Sequence, residues 1–532
     1  MTGRSMRTTA YAGPFTGTAL LLRQNLRRDR IIAPVWIAVM VVMTYASAAS
    51  TTTLFKTTAD RLRLATSINE QPALRALYGP ILDPGSVGEL AMSKMTELYA
   101  LFAAVLFVIL VRRHTRVEEE SGRSELIGAT VVGRDAPMAA VLVECAGLAA
   151  VLGLAVGGSA IAGGLPVSGS VWFGLTWAGT ALVGTAVAAV AVQLSASART
   201  CGGFIAGMLG GIFLLRALGD GGRWTWLSWL SPLGWNTQLR AWSDPRGWAV
   251  LLYPAITAVL LVLARELRAH RDLGGGLIAA RPGRVVGPAW VRSPIALILR
   301  LQRTSLILWT VAIAFMGVAF GAMAPGLDDM VESVGSGQEL IDRLGGVMIA
   351  AVLSIGAMII TCFAVTVINH SSADETDGRL EMVLSTGASR RGWYAGTVVV
   401  AFAGAGWLVF VLGLGLWLGY GLAGGNDPYA ALGASLAWIP AVTLVAAFGL
   451  LAWSFRPSWS IVGWFALVLF LLLTVVGELL ELPEWVIDLS PYSAVPQYPA
   501  EAWRWMPLIV LAVLATLATV GAWFRFRERD IG

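Results

Sequence analysis

Lysine is almost missing from this chain. Of its 38 lysine and arginine residues, only Lys56 and Lys94 are lysine. A phosphate-binding loop needs a lysine directly after a glycine-rich turn, so that backbone N–H groups cradle the phosphates and the ammonium reaches the outer ones. Lys56 stands in Leu-Phe-Lys-Thr-Thr and Lys94 in Met-Ser-Lys-Met-Thr. Neither fits, so any nucleotide energy has to come from a partner chain. Histidine is nearly as scarce, with His114, His270 and His370, all at ends of apolar runs; ordinary interfacial histidines are expected there. No HExxH or paired-carboxylate pattern occurs, so no catalytic residue and no metal site is expected, and the chain reads as a non-enzyme. The three cysteines, Cys145, Cys201 and Cys362, lie in or beside apolar runs without metal-ligand spacing. They read as small buried apolar residues.

Charge is low as well. Charged residues make up 13% of the chain and apolar ones 56%, where an average soluble domain carries about 25% charge. Mean hydropathy is +0.70. This is the composition of an all-α polytopic membrane protein, and no nucleic-acid partner is expected. A hydrocarbon core needs roughly 20 apolar residues per helix. Twelve candidate spans meet that: 31–50, 93–111, 137–163, 171–195, 201–219, 248–265, 305–325, 346–369, 393–422, 430–454, 458–478 and 505–524. The arginine-rich start, the apolar stretch from Ile31 and the triplet Ala46-Ser47-Ala48 resemble a cleaved signal peptide. The pattern Arg27…Trp36 recurs at Arg300…Trp309, however, deep inside the chain. It reads as a retained first span.

The spans divide six and six, and the chain repeats itself. Glu118–Arg134 (EEESGRSELIGATVVGR) has a copy at Asp374–Arg390 (DETDGRLEMVLSTGASR). Gly122 pairs with Gly378, Arg123 with Arg379, Glu125 with Glu381 and His114 with His370, all at 378 − 122 = 256. Leu230-Ser231-Pro232 matches Leu489-Ser490-Pro491, and Arg271-Asp272-Leu273-Gly274 matches Arg529-Asp530-Ile531-Gly532. Each half holds an even number of spans, so the two share one orientation and form a parallel repeat. The expected organisation is a first half over 1–274 with a polar handle near 118–130, a linker with an interfacial helix over 275–304, and a second half over 305–532 with its handle near 374–386.

Arginine placement sets sidedness. Residues 1–30 hold six Arg and one acid, 265–303 eight Arg and two acids, and 525–530 three Arg. Segments 326–345 and 478–504 each hold five acids and one Arg. Both termini and both handles are therefore expected in the cytoplasm of a multi-pass protein of the bacterial plasma membrane. Phe15–Arg30 and Ile295–Arg303 mix Leu and Arg at helical spacing and suit amphipathic helices in the lipid headgroups; Ala59–Leu77 suits a third, on the outer side.

Inside the spans, Glu144 is the deepest charge, and a hydrogen bond to a neighbouring helix is expected for it. Gln193, Arg216 and Glu478 lie near span ends, where they are expected to snorkel. Gly153…Gly157 and Gly415…Gly419 are small-xxx-small motifs for close helix approach. Six tryptophans crowd 224–248. They read either as an aromatic belt or as part of a re-entrant hairpin, turned at Ser231-Pro232 with Trp235 and again at Ser490-Pro491, that lines an outer gate.

Each handle, as one short helix, would offer Glu118, Glu119, Gly122, Arg123 and Glu125, or Asp374, Glu375, Gly378, Arg379 and Glu381, to a soluble partner. Taken with six spans per half, Ser-Pro before the sixth span and Arg-Asp-Leu-Gly after it, the chain resembles the permease of an ABC type-2 exporter. More narrowly it resembles the fused twelve-span permeases of the polyketide-antibiotic (tetronasin-type) exporter family. That resemblance implies that the handles are coupling helices docking on two copies of a separate ATPase subunit, which bind the ATP and magnesium. Gly122 and Gly378 would then permit close backbone approach. It also implies a route between the halves for a hydrophobic or amphiphilic substrate, within reach of membrane lipid, lined by spans two and five and their copies. Those offer Phe102, Phe107, Phe204, Met208, Met358, Trp464 and Phe465. A proton-coupled secondary drug transporter, also of twelve spans in two parallel halves, is the alternative. It calls for intramembrane carboxylates.

Overall fold

The fold was analysed in a computed structural model, which describes residues 13–70, 75, 78–221, 224–272, 274–278, 288–332, 338–422, 429–475, 483–498 and 503–530. No strand occurs among them. Twelve helices are long and apolar enough to cross a membrane. The chain forms two compact units, Met1–Gly283 and Arg284–Gly532, and each contains six of the spans. Residues 326–345 and 478–504 fall partly outside the description, as do Leu273, Glu478, Ile531 and Gly532.

In the first unit the spans are Ile32–Leu54, Val87–Glu120, Ala136–Ala162, Val167–Leu194, Ala198–Asp220 and Gly247–Ala269. The fourth is the axis: 83% of its apolar window is buried within the unit, against 17% for the sixth. A helix apolar on every side has to be surrounded by protein or lipid, and this one is surrounded by protein. It packs on spans two, three, five and six and contributes Phe173, Trp177, Ala181, Ala188 and Ala191 to the core. Its small residues make this possible. A Cβ on Gly153 or Gly157 of span three would stand 2.6 Å from the Gly174 carbonyl oxygen or 2.9 Å from that of Ser170, closer than real carbon atoms approach. The two backbones therefore touch, which is the packing expected of a small-xxx-small motif in lipid.

The second unit holds Pro294–Ala322, Ile349–Thr376, Arg390–Leu422, Leu432–Phe455, Pro457–Thr474 and Trp505–Glu528. Its small-xxx-small pair works at a different interface. Gly415 and Gly419 of span nine meet Gly317 and Gly321 of span seven, with a Gly419 Cβ only 2.2 Å from the Val318 carbonyl. Here spans seven and nine lie along one another, and span ten packs on spans eight and twelve.

One expectation about amphipathic helices needs correction. Thr18–Arg28 is a separate helix, but its proposed counterpart is not. Ile295–Arg303 belongs to one unbroken helix, Pro294–Glu332. The difference lies at the junction: Asp29, after the first helix, turns into the unit toward His114 and Arg113. Its counterpart Gln302 stays helical. The outer helix covers Thr58–Glu70, and most of 71–77 lies outside the described residues. All three cysteines are free thiols.

The glycine contacts predict that Gly153→Val and Gly419→Val each lower stability by about 1–3 kcal/mol through overpacking. Gly203→Val, at a position with nothing within 4 Å, should leave it nearly unchanged. Thermal unfolding in detergent measures the difference.

Candidate coupling site

Each polar handle is built around one backbone angle. Gly122 has φ 75° and Gly378 φ 72°, the left-handed region that side-chain-bearing residues enter at a cost of roughly 1–2 kcal/mol. Each caps a short helix, Arg123–Gly128 in the first unit and Arg379–Ser385 in the second. A Cβ at either position would meet nothing within 4 Å. Within this chain these glycines are required by the turn, and the space around them is open.

The turn separates the acids from the exposed ledge, so the five residues of a handle do not share one helix face. Glu118 and Glu119 precede the glycine in the helix Arg116–Glu120 and point into the unit. Arg28 donates to Glu118 at 2.8 Å and Arg123 reaches it at 3.4 Å. Glu119 is held by both nitrogens of the Arg271 fork at 2.7 and 2.8 Å, and by Arg116 at 2.8 Å. Arg116, itself buried, donates onward to the Val192 and Gly275 carbonyls, and the Arg271 Nε to Gln193. Glu120 accepts from the Ala198 amide at the start of span five. The acids therefore root the handle in the ends of spans four, five and six. Arg123, Glu125, Leu126 and Val131 remain exposed, Leu126 at 73% and Val131 at 81%.

The second unit repeats this wiring. Arg379 bonds Asp374 at 2.7 Å, as Arg123 reaches Glu118, and also pairs with Asp377 at 2.8 Å. Hydrogen bonding to Asp374 raises the Arg379 pKa further above its ordinary value, so this fork stays charged. Glu375, the counterpart of Glu119, takes Arg529, the counterpart of Arg271, and the Trp453 indole N–H at 2.9 Å. The arginine that opens the landmark after each last span, Arg271 or Arg529, is thereby explained, since it closes on the handle of its own unit. Glu381, Met382 and Arg379 are exposed.

This chain is 37% identical to the "Multidrug efflux system permease protein Rv1217c" of Mycobacterium tuberculosis (strain ATCC 25618 / H37Rv) over 529 residues, covering 97% of the chain and 96% of that protein. The family description "Multidrug efflux system permease Rv1217c, C-terminal domain" matches residues 291–527. The chain belongs to this family of multidrug efflux permeases. The matched region takes in all six spans of the second unit except its final residue, Glu528, and the whole of its handle.

In this permease the two hairpins expected at the outer gate are alike inside their own units. The Ser231 hydroxyl donates to the Ile212 carbonyl at 2.7 Å, and that of Ser490 to the Phe470 carbonyl at 3.3 Å. The second hairpin lacks the Gly-Trp of the first. Trp235 stacks edge-on to Tyr253, whereas Tyr492 sits buried with its hydroxyl 2.8 Å from Thr361. Pro232 is buried beside Ser231. Trp224, Trp226 and Trp248 are exposed, as a belt requires. Trp235 and Trp242 pack inward.

Four polar residues behave otherwise than their positions in the sequence suggest. Arg216 does not snorkel: its side chain is fully buried, 3.5 Å from Glu97 and 3.4 Å from Asp220. Thr237 and Ser228 donate to those acids. Gln193, equally buried, donates to the Ala189 carbonyl and accepts from Arg271. Glu144 has the Asn25 and Asp29 side chains of neighbouring elements in hydrogen-bonding reach, without a bond of good geometry, and His114 is buried where an interfacial histidine was expected. Glu97 was missed because it opens an apolar run. Arg216 and Asp220, four apart on one face of span five, were the available signal. Of the proposed route residues, Phe107 and Met358 lie inside their units' cores. Phe102 and Phe465 are exposed, Trp464 marginally so, and Phe204 and Met208 are half-buried.

Removing one partner of a buried ion pair strands the other, at a cost of about 3–5 kcal/mol. Glu119→Gln and Arg271→Gln should each destabilise the first unit on that scale. A double-mutant cycle should give strong coupling, and denaturation of the purified chain reads it.

Proposed function

We propose that this chain is the transmembrane permease of an ATP-driven exporter of the ABC type-2 class, in its fused twelve-span tetronasin-type form, and that it extrudes hydrophobic or amphiphilic compounds, antibiotics among them. On this reading the arginine-rich end faces the cytoplasm. Two copies of a separate ATPase subunit dock there and supply ATP and magnesium chemistry that this chain lacks. The printed function of its relative, multidrug efflux, supports the substrate class. Arginine asymmetry about the spans supports the orientation.

The observation that carries the reading is the duplicated handle. Each places an arginine, an acid and a large apolar side chain (Arg123, Glu125 and Leu126; Arg379, Glu381 and Met382) in the open, beyond a glycine turn. Each is rooted by an acid–arginine pair that reaches past the unit's last span. An exposed apolar knob ringed by charge suits a partner's cleft, because the knob supplies desolvation energy while the charges fix register. A stiff root is what turns contact into work. A push on a floppy loop would be lost in loop motion, whereas one on Arg123–Gly128 is carried through Glu119 and Arg271 toward span six.

Purification with its cognate ABC ATPase subunit, sought among the neighbouring reading frames, should yield one chain with two ATPase copies. Arg123→Glu together with Arg379→Glu should keep ATP hydrolysis by that subunit while lowering drug efflux at least about tenfold, the loss of roughly 1.4 kcal/mol of coupling at the two ledges. Efflux driven by the lone chain in ATPase-free liposomes, or handles labelled from outside the cell, would refute the reading.

A further inference from the structure

We propose that Asp29, His114 and Glu144 form a binding site for a divalent metal ion of the zinc class, a site used by the first unit alone. Asp29 sits in the turn between the helix Thr18–Arg28 and span one. His114 ends the helix Ala100–His114, two residues before Arg116 of the handle's root. Glu144 lies eight residues into span three, about 12 Å along its axis. All three are buried, with 2%, 6% and 2% of their surface exposed. One ligand atom from each lies within 4.8 Å of the others.

The hydrogen bonds leave this cluster incomplete. Asp29 is engaged by Arg113 at 2.7 Å and by the His114 Nε2. The other imidazole nitrogen has no partner, and neither do the two carboxylate oxygens of Glu144. The polar groups facing Glu144 are His114, Asp29 and Asn25. The Asn25 and Asp29 side chains are within hydrogen-bonding reach of Glu144, but neither closes a bond of good geometry; a buried carboxylate so poorly satisfied is costly, and here it points at a second carboxylate.

The repeat supplies the comparison that decides how to read this. The matching positions in the second unit are Gln302 (302 − 29 = 273), His370 (370 − 114 = 256) and Val400 (400 − 144 = 256). Those offsets are the ones that relate the first spans and the handles. There Gln302 and His370 bond at 2.9 Å, and Val400 packs into the core. The same junction of three helices is thus built with neutral groups and no orphaned oxygen. Neither fold nor packing asks for two carboxylates in the first unit, and a bound cation is what would use them.

One imidazole nitrogen with two carboxylates is a mixed donor set. It suits zinc and its neighbours in the first transition row, and not calcium or magnesium, which take oxygen donors. Ligand bonds of about 2.0–2.2 Å require the side chains to close in by on the order of 1 Å. A cavity of about 250 Å³ meets the cluster at Asn25 and His114, while Asp29 and Glu144 do not line it; an ion would enter past the imidazole, with the Asn25 amide or a water as fourth donor. An ion there would fasten the turn before span one and span three to the residue that leads into the handle.

The test uses the full-length chain, purified without a histidine tag and stripped with chelator. Zinc and, separately, manganese are titrated by calorimetry, with metal content measured by mass spectrometry. One ion per chain is expected, together with a higher Tm on zinc addition. The double variant Asp29→Gln, Glu144→Val copies the second unit's set and should fold, losing affinity by roughly 100-fold or more along with the Tm shift. Glu144→Gln, nearly isosteric, serves if the double variant does not fold. Absence of stoichiometric binding by the wild-type chain, or equal binding by wild type and either variant, overturns the proposal.

Discussion

A carboxylate at the mouth of a membrane helix has to find a cation or remain in water, and that constraint organises the arginine-rich end of each unit. Glu119 and Glu375 stand one turn before the left-handed glycine, and each closes on the arginine that follows the last span of its unit. The pair does two things at once. It neutralises a charge at the edge of the apolar slab, and it ties a segment between spans two and three to the far end of the six-span chain. With its root thus held, the glycine turn can project a short ledge outward without fraying. Remove the pair, and the ledge becomes a loop between two helices.

The two units meet the same constraint with different interiors. The first concentrates ionisable groups inside the bundle: Glu97, Arg216 and Asp220 toward one end, and Asp29, His114 and Glu144 toward the other. The second puts apolar or neutral residues in the places of Glu97, Arg216 and Glu144, namely Leu353, Thr474 and Val400. Their close-packing glycines also differ, joining spans three and four in one unit and seven and nine in the other. Duplication has preserved the parts that face water at the handles and has let the interiors diverge. The two halves of this multidrug efflux permease are thus alike at their handles but not interchangeable inside.

Much of the architecture was readable from residue order. Apolar run length located all twelve spans, because hydrocarbon thickness sets a length that composition must obey. The repeat exposed the handles, because Gly122 and Gly378 share an offset with their flanking charges. The side chains were read less well. Glu118 and Glu119 look like a docking face in one dimension, since acids beside a glycine in a polar stretch suggest solvent. Arg216 looks like a snorkelling residue because it is near a span end. Sequence distance from the end of a helix does not say which way that helix faces, so neither the inward turn of Glu118 and Glu119 nor the burial of Arg216 could be read from it.

The order of residues by itself determined the helical membrane fold, the number of spans, the six-and-six division and the position of the handles, since each follows from local hydropathy or from internal similarity. Only the tertiary structure decided which charges meet. Glu119 and Arg271 are 152 residues apart, and Asp29, His114 and Glu144 come from three separate helices. Ion pairing falls off over a few ångströms and depends on what surrounds the pair, so it is settled by packing in three dimensions and leaves no periodic trace along the chain.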